Sequence, residues 1–371
     1  MKRPVKVGSH MQGTAQTQDN PASMERAAQT GAFPKSFDSV EQLDAFLSQP
    51  SPDLIDDLSS VDGDILILGV AGKMGPTLAR LARNAAPDKR IVGVARFSEA
   101  GQRDTLEQCG IETIKADLLD QEQVEALPRM RNVIFMAGMK FGASGNQPLT
   151  WAMNVHCPSI VASVFRESRI VAFSTGNIYP LVDVMQQGAL EKTPAGPRGE
   201  YAQSCLGRER MFEYFSGRYQ TPGRLIRLNY AIDLRYGVLF DLASRVKQDI
   251  PIDLSLMGHV NVIWQGDANA QTLRALRHCT TPTSPLNISG PETLSVRWLV
   301  EELSARLGKK PNLVGDESET AWLTNSAQAA SLFGYPSVPV GVMLDWVADW
   351  VAHDRPSLNK PTKFEVRDGD F

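Results

Sequence analysis

Three glycines carry the most chemistry in this chain. Gly69, Gly72 and Gly75 are spaced G-x-x-G-x-x-G, directly after the apolar run Ile65-Leu66-Ile67-Leu68 and directly before the helix-like segment Pro76 to Ala85. Glycine lets a backbone turn sharply and approach a diphosphate closely, and a helix that starts there offers unpaired N–H groups to the phosphates. The turn Gly69-Val70-Ala71-Gly72-Lys73-Met74-Gly75 is therefore expected to bind a dinucleotide, with Lys73 and Met74 inside the loop. The next strand-like run ends at Ala95-Arg96, where an acid would accept ribose hydroxyls. An arginine there suits a 2′-phosphate and favours NADP over NAD. Asp117-Leu118 follows the third run and is placed to meet the adenine edge. Met136-Ala137-Gly138 follows the fourth, with small residues where backbone would pass under the cofactor.

These turns need a scaffold. From Asp64 onward, strand-like runs (65–68, 91–95, 112–116, 133–136, 170–173, 224–228) alternate with helix-like runs (76–85, 100–108, 121–126, 148–165, 201–215). Such alternation predicts an α/β fold, a doubly wound parallel sheet with helices on both faces and a ligand crevice at the carboxyl ends of the strands. After about residue 230 the alternation weakens, and residues 231–371 are expected to form mainly a smaller C-terminal substrate lobe and a charged tail at the surface. Residues 39–60 read as a helical appendage and 61–230 as the dinucleotide-binding domain. Residues 1–38 read as a flexible arm whose Gly8-Ser9-His10-Met11 looks like a cloning scar.

Composition narrows the function. Among 371 residues, 38 are Lys or Arg and 42 are Asp or Glu, for a net charge of -4, with no basic stripe for nucleic acid. No apolar run approaches a membrane span. The four cysteines (Cys109, Cys157, Cys205, Cys279) have no metal-ligand spacing, so no metal site is expected, and free thiols suit a cytoplasmic location.

In order and spacing, these motifs resemble the extended short-chain dehydrogenase/reductase superfamily, of the NAD-dependent epimerase/dehydratase type. Phe135-Met136-Ala137-Gly138-Met139-Lys140 is similar to the matching stretch of UDP-galactose 4-epimerases. Phe173-Ser174-Thr175-Gly176-Asn177-Ile178-Tyr179 resembles the family's S-[ST]-x-x-x-Y run, and Val262 to Asp267 and Leu286 to Gly290 resemble two later motifs. The resemblance implies a Rossmann-type lobe, NAD or NADP, and hydride chemistry on a secondary alcohol of a carbohydrate-like substrate. It also implies a homodimer packed through the helices that contain Pro148 and Tyr201. Tyr201 would be the acid/base, Thr175 (or Ser174) the hydroxyl that orients the substrate oxygen, Asn154 a cofactor-site residue, and Asn229 a substrate contact.

One position departs from the pattern. The family has Y-x-x-x-K, but Cys205 stands four residues after Tyr201, on the same helix face. Ionising a free tyrosine at neutral pH costs about 4 kcal/mol, which a lysine would offset and a neutral thiol would not. Lys140 is the favoured substitute, ahead of Arg208. A dinucleotide-binding protein without hydride transfer is the second expectation, and covalent chemistry at Cys205 the third.

Overall fold

The computed structural model describes residues 33–140, 145–360 and 362–370, and the arm expected over residues 1–38 lies almost wholly outside them. Residues Ser36–Phe371 form one compact unit. Its centre is a seven-stranded sheet. In chain order the strands are β1 (Ile65–Leu68), β2 (Ile91–Ala95), β3 (Glu112–Lys115), β4 (Asn132–Phe135), β5 (Arg169–Thr175), β6 (Gly223–Leu228) and β7 (Ser284–Ile288). They lie in the order β7-β6-β5-β4-β1-β2-β3, and every neighbouring pair is parallel. All residues of β1, β2 and β4 are buried, as strands covered on both faces by helices must be. Strand order reverses between β1 and β4, and the crevice opens at that switch point.

The helices are α1 (Val40–Leu47), α2 (Pro52–Ser60), α3 (Gly75–Ala85), α4 (Gln102–Gln108), α5 (Gln121–Glu125), α6 (Gln147–Trp151), α7 (Cys157–Val164), α8 (Gly199–Tyr219), α9 (Val238–Lys247), α10 (Gln265–Arg274), α11 (Val296–Leu307), α12 (Ala327–Phe333) and α13 (Val340–Ala352). The single helix expected over 148–165 is interrupted by a π turn at Ala152–His156. Pro158 supplies the reason: it has no N–H to offer the Asn154 carbonyl, and its ring crowds that turn.

Three boundaries differ from the sequence expectation. The segment 39–60 is built into both cores: Leu43 and Leu47 join the cluster of the C-terminal lobe, while Leu54 and Leu58 join the apolar cluster on one face of the sheet. The segment 231–371 is not all lobe, because β7 pairs with β6 at the sheet edge and Ala268 and Leu273 of α10 pack in that same sheet cluster. The tail after His353 is not a loose surface coil. Thr362 and Phe364 are buried, Arg245 grips Glu365 through two bonds of 2.6 and 2.7 Å, and the Trp322 indole donates to the Val366 carbonyl. Gly369 then lies against Arg198 and Gly199, at the start of α8, so closely that a Cβ on either glycine would strike the other stretch of chain.

Candidate active site

The glycine turn is shaped by the protein for two of its glycines and not for the third. Gly69 has φ +89°, and a Cβ there would lie 2.6 Å from the Ala137 nitrogen. A Cβ on Gly75 would lie 2.0 Å from the Val70 carbonyl oxygen. Both are demanded by close backbone packing, which includes Met136 and Ala137 from the loop after β4. At exposed Gly72 a Cβ would meet nothing nearer than the Gly69 oxygen at 3.5 Å. Its missing side chain leaves room on the outside of the turn. The α3 N-terminus beside it has no side-chain cap, although its Gly75 N–H already meets the Gly72 carbonyl at 3.2 Å and Pro76 has no N–H, so the helix contributes its positive dipole end more than donors. These features fit a dinucleotide diphosphate. Gly72→Val should therefore fold with unchanged denaturation midpoint and bind NAD about tenfold or more weakly, read by calorimetric titration. Arg96 is exposed at the end of β2. Asp117 is half-buried, with its carboxylate accepting from the Leu119 N–H at 3.0 Å, and Leu118 is buried beside it.

A second group of residues lines a cavity of about 170 Å³ at the carboxyl ends of the strands: Lys73, Lys140, Thr175, Tyr201, Asn229 and Tyr236, with Met74 and Ser174. Thr175 ends β5, and Tyr201 comes from the first turn of α8. The Thr175 hydroxyl and the Cys205 thiol are both hydrogen-bonding neighbours of the Tyr201 phenol. Burial holds Tyr201 well above the ordinary phenol range, and the Arg208 guanidinium opposes that shift. The Lys140 ammonium lies 5.7 Å from the centre of the Tyr201 ring and donates to the Thr362 carbonyl of the tail at 3.4 Å. The Lys73 ammonium sits 3.3 Å over the Tyr236 ring. A larger depression of about 790 Å³, lined by Arg129, Arg131 and Ser168 among others, lies at the amino ends of β4 and β5, away from the crevice.

Several expected site residues act differently. Asn154 is buried without exposure. Its side-chain oxygen accepts from the Met139 N–H (2.9 Å) and Arg208 (2.6 Å), and its amide donates to the Met139 carbonyl and the Ser204 hydroxyl (2.9 Å each). It pins the loop that carries Gly138 and Lys140 onto α8, in place of the cofactor contact that the sequence suggests. Ser174 donates to Glu209 at 2.5 Å, behind the cavity; the Thr175 hydroxyl donates to the Asn177 side-chain oxygen at 3.0 Å but lies beside the Tyr201 phenol, and is the better placed of the two. Asn229 donates to the Trp322 carbonyl at 3.1 Å while lining the cavity. Cys205 is almost fully buried beside Ile178, Tyr179 and Ala189, and burial raises its thiol pKa. Burial favours the neutral thiol, a poor nucleophile, while Arg208 and Lys140 oppose that shift, so the covalent reading has less support than the acid/base one.

Arg208 is the residue that sequence reasoning undervalued. It is buried, donates to the Phe173 carbonyl at 2.8 Å and to Asn154, and its Nε has no partner among the described residues. A Cβ on Gly138 would lie 2.3 Å from its guanidinium, so that glycine makes the space. Arg208 and Lys140 thus flank Tyr201 and Cys205 together. A second unforeseen feature lies behind Ser174: Glu209, fully buried, bonds Arg227 at 2.7 and 3.1 Å, and Arg227 also donates to the Tyr179 hydroxyl at 2.7 Å.

The two cavity lysines are held in an environment that disfavours their charge. Burial, with Lys140 and Lys360 nearby, brings Lys73 down to about 7, and burial with Lys363 nearby brings Lys140 down to about 8. An unfolded lysine keeps its proton to about pH 10.4, so above pH 7 to 8 the unfolded chain binds more protons than the folded one. Stability of the unliganded protein is then expected to rise with pH between those limits. Lys73→Met and Lys140→Met should each flatten that rise, read by urea denaturation at about pH 7 and about pH 9.

Among the described residues no cluster of three metal-binding side chains occurs, and no helix is long and apolar enough to cross a membrane. Residues 65–232 match the NAD dependent epimerase/dehydratase family. None of the curated proteins matches the sequence. Among solved structures, the UDP-glucuronic acid 4-epimerase of Bacillus cereus in complex with NAD is similar at 18% identity, over 78% of this chain and 99% of that one, with a TM-score of 0.65. The dTDP-glucose 4,6-dehydratase of Bacillus anthracis in complex with NAD gives 15%, 79%, 97% and 0.66. The UDP-glucose 4-epimerase of Thermus thermophilus in complex with NAD gives 19%, 78%, 98% and 0.63. At these identities the likeness carries the fold. Residues 65–232 thus match the NAD dependent epimerase/dehydratase family, and the fold is the Rossmann-type α/β fold shared with those sugar-nucleotide epimerases and dehydratases.

Proposed function

We propose that the protein is an NAD(P)-dependent enzyme that works through a transient keto form of a carbohydrate-like secondary alcohol, by oxidation, epimerisation or elimination. The observation that carries this reading is the meeting of Tyr201 and Thr175 in one cavity beside the glycine turn. A scaffold for dinucleotide binding has no need of a phenol and a hydroxyl aimed at the same point. The family match and the NAD-bound neighbours support the cofactor class. Arg96 is the cation that a 2′-phosphate would use, while those neighbours hold NAD and lend no support to a preference for NADP.

A bound nicotinamide would supply the hydride acceptor and, when oxidised, a positive charge. The turn Gly69–Gly75 would hold the diphosphate on the side left open at Gly72, with the loop that carries Ala137 and Gly138 packed against it. The Thr175 hydroxyl, which donates to the Asn177 side-chain oxygen at 3.0 Å in the unliganded site, would turn that bond to the substrate oxygen and fix its position. Tyr201 takes the hydroxyl proton as the alcohol is oxidised and returns it when the ketone is reduced. Its ionisation is disfavoured by burial, so it needs cations close by. Arg208 and Lys140 supply them where the family places one lysine.

Cys205 in that lysine's position favours one alternative, a dinucleotide-binding protein that has lost hydride transfer. Cys205→Lys separates the two. The enzyme reading predicts that the lysine, forced into the packed niche of Ile178, Tyr179 and Ala189, lowers turnover. Activity that appears only in the variant would establish the alternative. A homodimer through α6–α8 is also proposed, since Leu149, Trp151 and Tyr214 are exposed on those helices.

A further inference from the structure

The cavity beside Tyr201 has a charge that the chemistry of an alcohol does not require. Two lysines line it, from separate loops: Lys73 from the glycine turn and Lys140 from the loop after β4. Its lining contains no aspartate or glutamate among the described residues. Asp241 on α9 acts on Lys73 as a partial counter-charge from outside the lining, with one carboxylate oxygen bonded by the backbone N–H and hydroxyl of Thr362. The tail adds Lys360 and Lys363 close enough to repel the pair. Cations collected in a partly buried space repel one another and lose hydration, a cost that a bound anion would offset.

Position separates this charge from the diphosphate cradle. Gly69, Gly72, Gly75, Arg96 and Asp117 do not line the cavity, whereas Thr175, Tyr201 and Asn229 do. Lys73 is turned over the Tyr236 ring, toward the lobe.

We propose that the substrate is an anion, a sugar-like alcohol carrying a carboxylate or phosphate group that Lys73 and Lys140 hold together while its hydroxyl meets Tyr201 and Thr175. This rests on the enzyme reading for the role of Tyr201. Lys73 reaches the anion from the lobe side and Lys140 from above the Tyr201 ring, so that two ammonium groups and the Asn229 amide can converge on a small acceptor group. The cavity volume of about 170 Å³ suits a monosaccharide-sized portion of the ligand.

Inorganic phosphate is the test ligand, titrated calorimetrically into the full-length protein in phosphate-free buffer, with and without saturating NAD. Phosphate should bind in both conditions, and Lys73→Met and Lys140→Met should each weaken it by about tenfold or more. Lys192→Met, a lysine outside the cavity, should leave it unchanged. Phosphate that is displaced by NAD belongs to the cofactor's diphosphate and overturns the proposal. No phosphate binding, or equal binding by wild type and both variants, also overturns it. If NAD fails to bind at all, the enzyme reading falls, and the comparison of wild type with the two variants still decides the anion site.

Discussion

Replacing Tyr201 with phenylalanine should lower turnover by about 100- to 10,000-fold while leaving dinucleotide binding and folding almost unchanged. Only the phenolic oxygen is lost. The ring keeps its place under the Lys140 ammonium, and Thr175 and Cys205 lose one shared partner. The expected signature is a fall in kcat with little change in KM, because Tyr201 acts on the proton in flight and not on the bound ground state. Thr175→Val should show a smaller fall by the same measurement, since it removes an orienting bond and leaves the proton path. Normal turnover in Tyr201→Phe would move the acid/base elsewhere in the cavity. Lys140 would then be the next candidate, because an amine held at about 8 can also exchange a proton near neutrality.

The second large effect is on stability. Glu209 has no exposure and Arg227 very little, and the pair is tied to Ser174 and Tyr179. Arg227→Met leaves a buried carboxylate without its cation and should cost about 3–5 kcal/mol in urea denaturation. Glu209→Leu together with Arg227→Met removes both charges and should recover a large part of that loss. The network also holds the end of β5 in place. Even where Arg227→Met folds at low temperature, turnover should drop because Thr175 is no longer fixed. The tyrosine at the end of the S-T-x-x-x-Y run, Tyr179, is part of this buried support, donating to Asn287 at 2.8 Å. It is not a second acid/base.

The parts legible in the sequence are those specified by local pattern. β1 is four apolar residues in a row, its turn is glycine by backbone necessity at Gly69 and Gly75, and the sheet follows from the alternation of such runs with amphipathic segments. Tyr201 and Cys205 are readable as one helix face because their spacing is local. The unreadable parts depend on distant partners. Arg208 reads only as the second choice of cation because nothing near it in sequence shows that Gly138, about seventy positions earlier, leaves space for its guanidinium. The tail reads as a charged coil because its acid is paired with Arg245 and its threonine with Asp241, both more than a hundred residues away. Asn154 carries a family role in its sequence context, yet a π turn set up by Pro158 turns its amide toward Met139, Ser204 and Arg208.

On the proposed function, the turn at Gly69–Gly75 holds a nicotinamide dinucleotide whose reactive ring faces Tyr201. Titration of NADH fluorescence with wild type, Gly72→Val and Tyr201→Phe tests it most directly. Wild type and Tyr201→Phe should bind saturably, with loss confined to Gly72→Val. Absence of saturable binding of either NADH or NADPH to the wild type, or equal binding by Gly72→Val, would contradict it.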